Sequence, residues 1–212
     1  MTAWLNLLAL GNTDALPLLP SLGAMSLWRS MGWALVLASL AWNGALGLGR
    51  LPARWRASLA LLLAVAMLLP GSLGLAYWLG LAFQAPSLVS VGLAVLGLLP
   101  MQRPRLGAGH LRVWSLATVV LGWLLLLDTL ALLPVFLYPW GYGPPALMTL
   151  LGLAMALPAF RVTRPAGWAA LAVALVFVVT RLPSGNLWDA LLDPWLWLLS
   201  HALLLRAMFR RA

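Results

Sequence analysis

Long apolar runs alternate with short arginine-bearing breaks along most of the chain. An α-helix needs about 20 apolar residues to cross a hydrocarbon core of about 30 Å. Ser30–Gly49 fits one crossing and ends at Arg50, Arg54 and Arg56. The run 57–99 carries no charge and is followed by Arg103, Arg105 and Arg112. At about 1.5 Å of rise per residue it is roughly twice the length of one crossing. Both its flanks are basic, so two crossings fit, with a turn in Pro70–Pro86. Pro70-Gly71-Ser72 and Gln84–Pro86 are the alternatives for that turn.

Val113–Leu137 follows, with Asp128 inside it, then the turn segment Tyr138–Pro145. Ala146–Phe160 returns to Arg161 and Arg164. Gly167–Thr180 crosses to Arg181, and Trp195–Leu205 crosses back to Arg206, Arg210 and Arg211. The pattern predicts an all-α, polytopic transmembrane bundle of about seven spans over residues 30–212. Residues 1–29 read as a surface helix in the interface, because Asp14, Pro17 and Pro20 break the alternative of an eighth span.

Composition supports this reading. The chain is 64% hydrophobic and 8% charged, against about 45–50% and 25% in soluble domains. Four arginine clusters fall on one side of the seven-span frame, leaving Arg29 and Arg181 opposite. Arginine-rich loops face the cytoplasm, so the N-terminus is outside and the C-terminus inside. Most of the 13 tryptophans lie near span ends, as an interfacial aromatic belt requires. The location implied is a bacterial inner membrane; arginine used without any lysine suits a GC-rich genome.

The chain has no Cys, and its 13 basic residues are all Arg and its 4 acids all Asp. Disulfides, cysteine-ligated metals and covalent haem are therefore excluded, as are the P-loop and Schiff-base lysines. The pI near 11.8 does not imply nucleic acid, since the arginines sit in short clusters between apolar runs. No cofactor and no metal site are expected: two His and four scattered Asp form no ligand motif. His201, inside the last span, is read as a helix-packing residue, and His110 as a loop residue. Ser26 and Ser184 occupy no nucleophile motif.

Asp128 is the leading candidate, because an acid at membrane depth is either paired or functional. Arg181 and Arg29 are its expected partners at the outer ends of their spans. The outer loop Leu182–Pro194 predicts a short amphipathic helix capped by Asn186. Its Trp188, Asp189 and Asp193, with Trp140 and Tyr142 of the other outer loop, are candidate partner-docking residues. A weak internal repeat pairs Trp55–Pro70 with Trp168–Pro183, which share Trp-to-Leu-Pro spacing. The expected function is a non-catalytic membrane subunit or scaffold that contacts the lipid bilayer and other membrane proteins. The alternative is a small transporter or channel using Asp128.

Overall fold

The structure is a computed structural model that describes residues 19–44, 49, 51–99, 108–134, 137–143, 152 and 164–209. Among these residues every regular element is helical. They are α1 (Leu22–Trp42), α2 (Ala53–Leu68), α3 (Leu75–Phe83), α4 (Leu88–Leu98), α5 (Ala108–Thr129), α6 (Leu137–Trp140), α7 (Arg164–Thr180), α8 (Leu187–Leu191) and α9 (Pro194–Phe209). Residues 1–18 of the expected surface segment 1–29 and most of the expected span Ala146–Phe160 lie outside the described residues, whereas residues 22–29 of that segment belong to α1.

The first helix starts at Leu22, not Ser30. Ser21 is its N-cap, accepting the Ala24 N–H at 3.2 Å, so the cap rather than Arg29 sets the boundary. Trp33 of α1 is 1% exposed and anchors a core with Val36, Met67, Ala76, Val91 and Ala94 from α1 to α4. Its indole N–H donates to the Gln84 carbonyl at 2.9 Å, so the ring is buried without an orphaned donor. Asn43, at the end of α1, donates to the Gly97 carbonyl at 3.2 Å and ties α1 to α4.

The uncharged run 57–99 contains two turns where one was expected. Both Pro70–Ser72 and Gln84–Pro86 break the chain, and the nine-residue α3 lies between them. Pro70 and Gly71 stop α2, while Gln84 takes φ +62°, a conformation that costs a non-glycine residue about 1 kcal/mol or more. The carbonyls of Gln84 and Pro86 are satisfied by the indoles of Trp33 and Trp28, at 2.9 and 2.8 Å.

α5 pairs with α9. Gly122 lets the Trp197 ring approach the α5 backbone, where a Cβ would overlap it. The Trp197 indole donates to the Val119 carbonyl at 3.2 Å. His201 stacks edge-on to Trp197 and Trp123, and its Nδ1 lies 2.9 Å from the Trp197 carbonyl. It is thus a packing residue between the two helices. His110 is exposed in the first turn of α5 rather than in a loop. α7 packs on α4, and Gly152 sits against Ala174 of α7.

α5 also begins and ends earlier than the expected span Val113–Leu137. Its C-terminus is a Schellman motif: the Leu132 N–H donates to the Leu127 carbonyl and the Ala131 N–H to the Asp128 carbonyl, both at 2.9 Å. Ala131 supplies the left-handed residue, φ +54°, where glycine is usual. Ala131→Gly is therefore expected to stabilise the protein by about 1 kcal/mol, read as a higher thermal midpoint in detergent.

By length and composition α5, over Gly109–Thr129, is the one helix among the described residues that qualifies as a membrane span. α4, most of α7, and α9 are apolar but shorter. α1 is long enough, yet carries Arg29 and three serines. The fold is therefore all-helical with one span of that kind, a coarser result than seven crossings. The helices nevertheless keep large apolar side chains open, among them Leu61, Leu62, Val113, Leu175 and Val179, each more than 60% exposed. The two Trp-to-Leu-Pro segments of the suggested repeat both form helices that stop before their Leu-Pro, α2 and α7.

Candidate functional site

Asp128, Arg181, Asn186, Asp189 and Asp193 gather at one end of the bundle, where Leu137–Gly143 and Arg181–Asp193 clasp each other. Tyr138 is the centre. Its backbone N–H donates to Asp128 Oδ2 at 2.7 Å, and its carbonyl accepts from Asn186 Nδ2 at 3.0 Å. Its hydroxyl donates to Asp189 at 2.8 Å. Around it the Leu187 N–H donates to the Gly141 carbonyl at 2.9 Å, and the Trp188 indole to the Leu137 carbonyl at 2.9 Å.

Local sequence explains each position. Asn186, fully buried, is the N-cap of α8, and its Oδ1 accepts the Trp188 N–H at 2.9 Å. Leu187 and Ala190 then face inward against Leu88 and Phe177. Asp193 is the N-cap of α9, with Pro194 at the first helical position, a favoured pairing. Its Oδ1 accepts from Leu196 N–H and its Oδ2 from Ser87 N–H, both at 2.7 Å. One carboxylate thus closes the N-termini of α4 and α9, where helix dipoles favour negative charge.

These placements change the expected roles. Asp193 is 3% exposed, so it offers no docking surface. The carboxylate of Asp189 is taken by Tyr138 and Ser184, and the Trp188 indole by Leu137. Trp140 alone of the five docking candidates is well exposed, at 55%. Tyr142 is half-buried and stacks edge-on to Tyr138.

Asp128 sits in the last turn of α5, because the Schellman motif ends the helix just beyond it. Its partner is the Tyr138 N–H, not Arg181 or Arg29. Asp128 Oδ1 is buried without a hydrogen-bond partner, and so is Arg181 Nη1. Arg181 follows α7 in the left-handed region, φ +57°, and its N–H donates to the Phe177 carbonyl at 2.8 Å. Its guanidinium lies 5.4 Å from the Phe177 ring centre and reaches the Gly143 carbonyl at 3.4 Å. Burial lowers its pKa from the ordinary value, but a guanidinium stays charged at neutral pH. Arg29 lies along Gly80 of α3, away from this network, with its Nε unpartnered.

Burial, reinforced by the charge of Asp189, pushes the Tyr138 phenol above its ordinary range, so the hydroxyl remains a donor. A raised acid pKa in the fold means stability that is complete below the ordinary value of 10.0 and is lost as pH rises beyond it. The thermal midpoint is expected to fall above about pH 10 in the natural chain, and Tyr138→Phe to start lower but decline less steeply. A pH series of melting curves in detergent checks this.

Ser184 bonds to Asp189, whereas His201 bonds within α9 and packs on α5. No acid–base–nucleophile relay is assembled from them. Among the described residues no group of three or more His, Asp or Glu converges as a metal site. Asn186 was legible as a cap; Asp193, read as a docking residue, carries a cap signal in Asp193-Pro194, and the long-range partners of both carry no local signal. Comparison with protein-family models, curated proteins and solved structures finds no match.

Proposed function

We propose that this chain is a multi-pass helical protein of a bacterial inner membrane, its arginine-rich end cytoplasmic and its clasped loops outside. Within that membrane it acts as a non-catalytic subunit or scaffold of a larger complex. One observation carries the reading. The described polar side chains at the clasped end are mostly spent on the chain's own backbone, while the helices leave broad apolar faces open. Soluble proteins rarely expose contiguous apolar patches of that kind, which mark lipid or protein contact. Loops this short, occupied in holding one another, leave side-on contact between helices as the available mode of association.

The test is purification of the tagged chain from its native host in mild detergent, with mass spectrometry of bound proteins. Stoichiometric recovery of other membrane proteins is expected. Recovery of the chain alone overturns the subunit reading. The second reading, ion or solute transport through Asp128, is favoured by the unpartnered Asp128 Oδ1 and Arg181 Nη1. Asp128→Asn in proteoliposomes separates the two: it abolishes flux under the transport reading and finds none to abolish under the subunit reading.

A further inference from the structure

We propose that the cleft between the start of α5 and the end of α9 holds the headgroup of an anionic phospholipid. The cleft has a volume of about 320 Å³ and is lined by Arg112, Ser115, Leu203, Leu204, Arg206 and Ala207. That is the lower end of the size range of ligand pockets, about 300–1,000 Å³.

Charge carries the assignment. Two guanidiniums line one cleft, and neither has a hydrogen-bond or ion-pair partner among the described residues. The three described aspartates are all committed at the clasped end. Arg206, in the last turn of α9, complements the negative end of its own helix. Arg112 has no such local reason: it lies one turn into α5, near the end where the helix dipole is already positive. Two arginines thus line one cleft with no acid committed to either among the described residues, an arrangement an anion would complete.

The walls make that anion a lipid. Leu203 and Leu204 line the cleft, and the adjoining Val113, Leu116, Leu205 and Met208 are exposed. A phosphate between the arginines would leave acyl chains lying on that apolar surface, which free phosphate cannot use. A zwitterionic headgroup brings an ammonium toward the same two arginines and binds less well. Basic pockets between helices on the cytoplasmic side recognise acidic headgroups in this way. The inference rests on the membrane reading above, with this end in the inner leaflet.

The test is native mass spectrometry of the full chain in detergent, titrated separately with phosphatidylglycerol, phosphatidylcholine and inorganic phosphate. The first phosphatidylglycerol adduct is expected about tenfold tighter than the phosphatidylcholine adduct. Arg112→Gln with Arg206→Gln should bring the two to parity. Ala207→Phe, which keeps both charges but fills the cleft, should weaken phosphatidylglycerol as well and serves if the double variant does not fold. Arg54→Gln, an exposed arginine outside the cleft, should change nothing. Parity of the two lipids in the natural chain, or selectivity undiminished by both cleft changes, overturns the site. Phosphate matching phosphatidylglycerol makes it an anion site and overturns the lipid. A chain that stays monodisperse without detergent contradicts the membrane reading instead, so the two failures are distinguishable.

Discussion

Asp193→Ala is expected to cost about 3 kcal/mol or more of stability, because each hydrogen bond to a buried charge contributes about 1.5–3 kcal/mol. Both carboxylate oxygens of Asp193 are used, one on Ser87 N–H and one on Leu196 N–H. Alanine leaves two backbone donors unpaired where Asp193 is 3% exposed, and uncaps α9 at the same time. Asp193→Asn retains one acceptor oxygen and should lose roughly half as much. Unfolding in detergent by SDS titration measures both, with Trp140→Ala, on an exposed ring, expected to stay within about 0.5 kcal/mol of the natural chain. If Asp193→Ala were neutral, the joining of α4 and α9 through this residue would be wrong.

Gly141→Ala is expected to be comparably damaging. A Cβ there would overlap the side-chain amide of Asn186 and meet Trp188 Cδ1 at 2.7 Å. Asn186 cannot turn aside, since its amide caps α8 and also holds the Tyr138 carbonyl. Overpacking costs about 1–3 kcal/mol, and the displaced hydrogen bonds add to it. The two clasped segments should separate together, so tryptophan fluorescence and thermal stability should change in one step. Gly23→Ala is the control. Nothing lies within 4 Å of a Cβ there, and alanine in α1 should gain up to about 1 kcal/mol.

The helices themselves were largely legible, because apolar runs bounded by arginine or proline leave few alternatives to helix. Their ends were not. Ala131 and Arg181 take the left-handed conformation that usually marks glycine, so no residue announced that α5 stops just past Asp128. That shortening places Asp128 in the last turn of its helix, where a hydrogen bond with Tyr138 N–H stands in place of the expected ion pair with Arg181. Asn186 was readable as a cap from its own neighbourhood. Asp193 carried the same kind of signal in Asp193-Pro194, but its acidity at an outer loop favoured an exposed reading. The clasp between Leu137–Gly143 and Arg181–Asp193 was out of reach, because its side-chain donors mostly meet backbone carbonyls some fifty residues away. A backbone carbonyl is present in every residue and leaves no pattern.

The most direct test is the sidedness of the clasp and of the arginine-rich end. The chain has no Cys, so a single introduced cysteine reports one position without background. Trp140→Cys, in the clasp, should react with a membrane-impermeant maleimide in intact spheroplasts. Arg54→Cys, at the arginine-rich end, should react only after the membrane is opened. Reaction of both in intact spheroplasts, or of Arg54→Cys alone, would contradict a bundle that holds its clasp outside and its arginines in the cytoplasm.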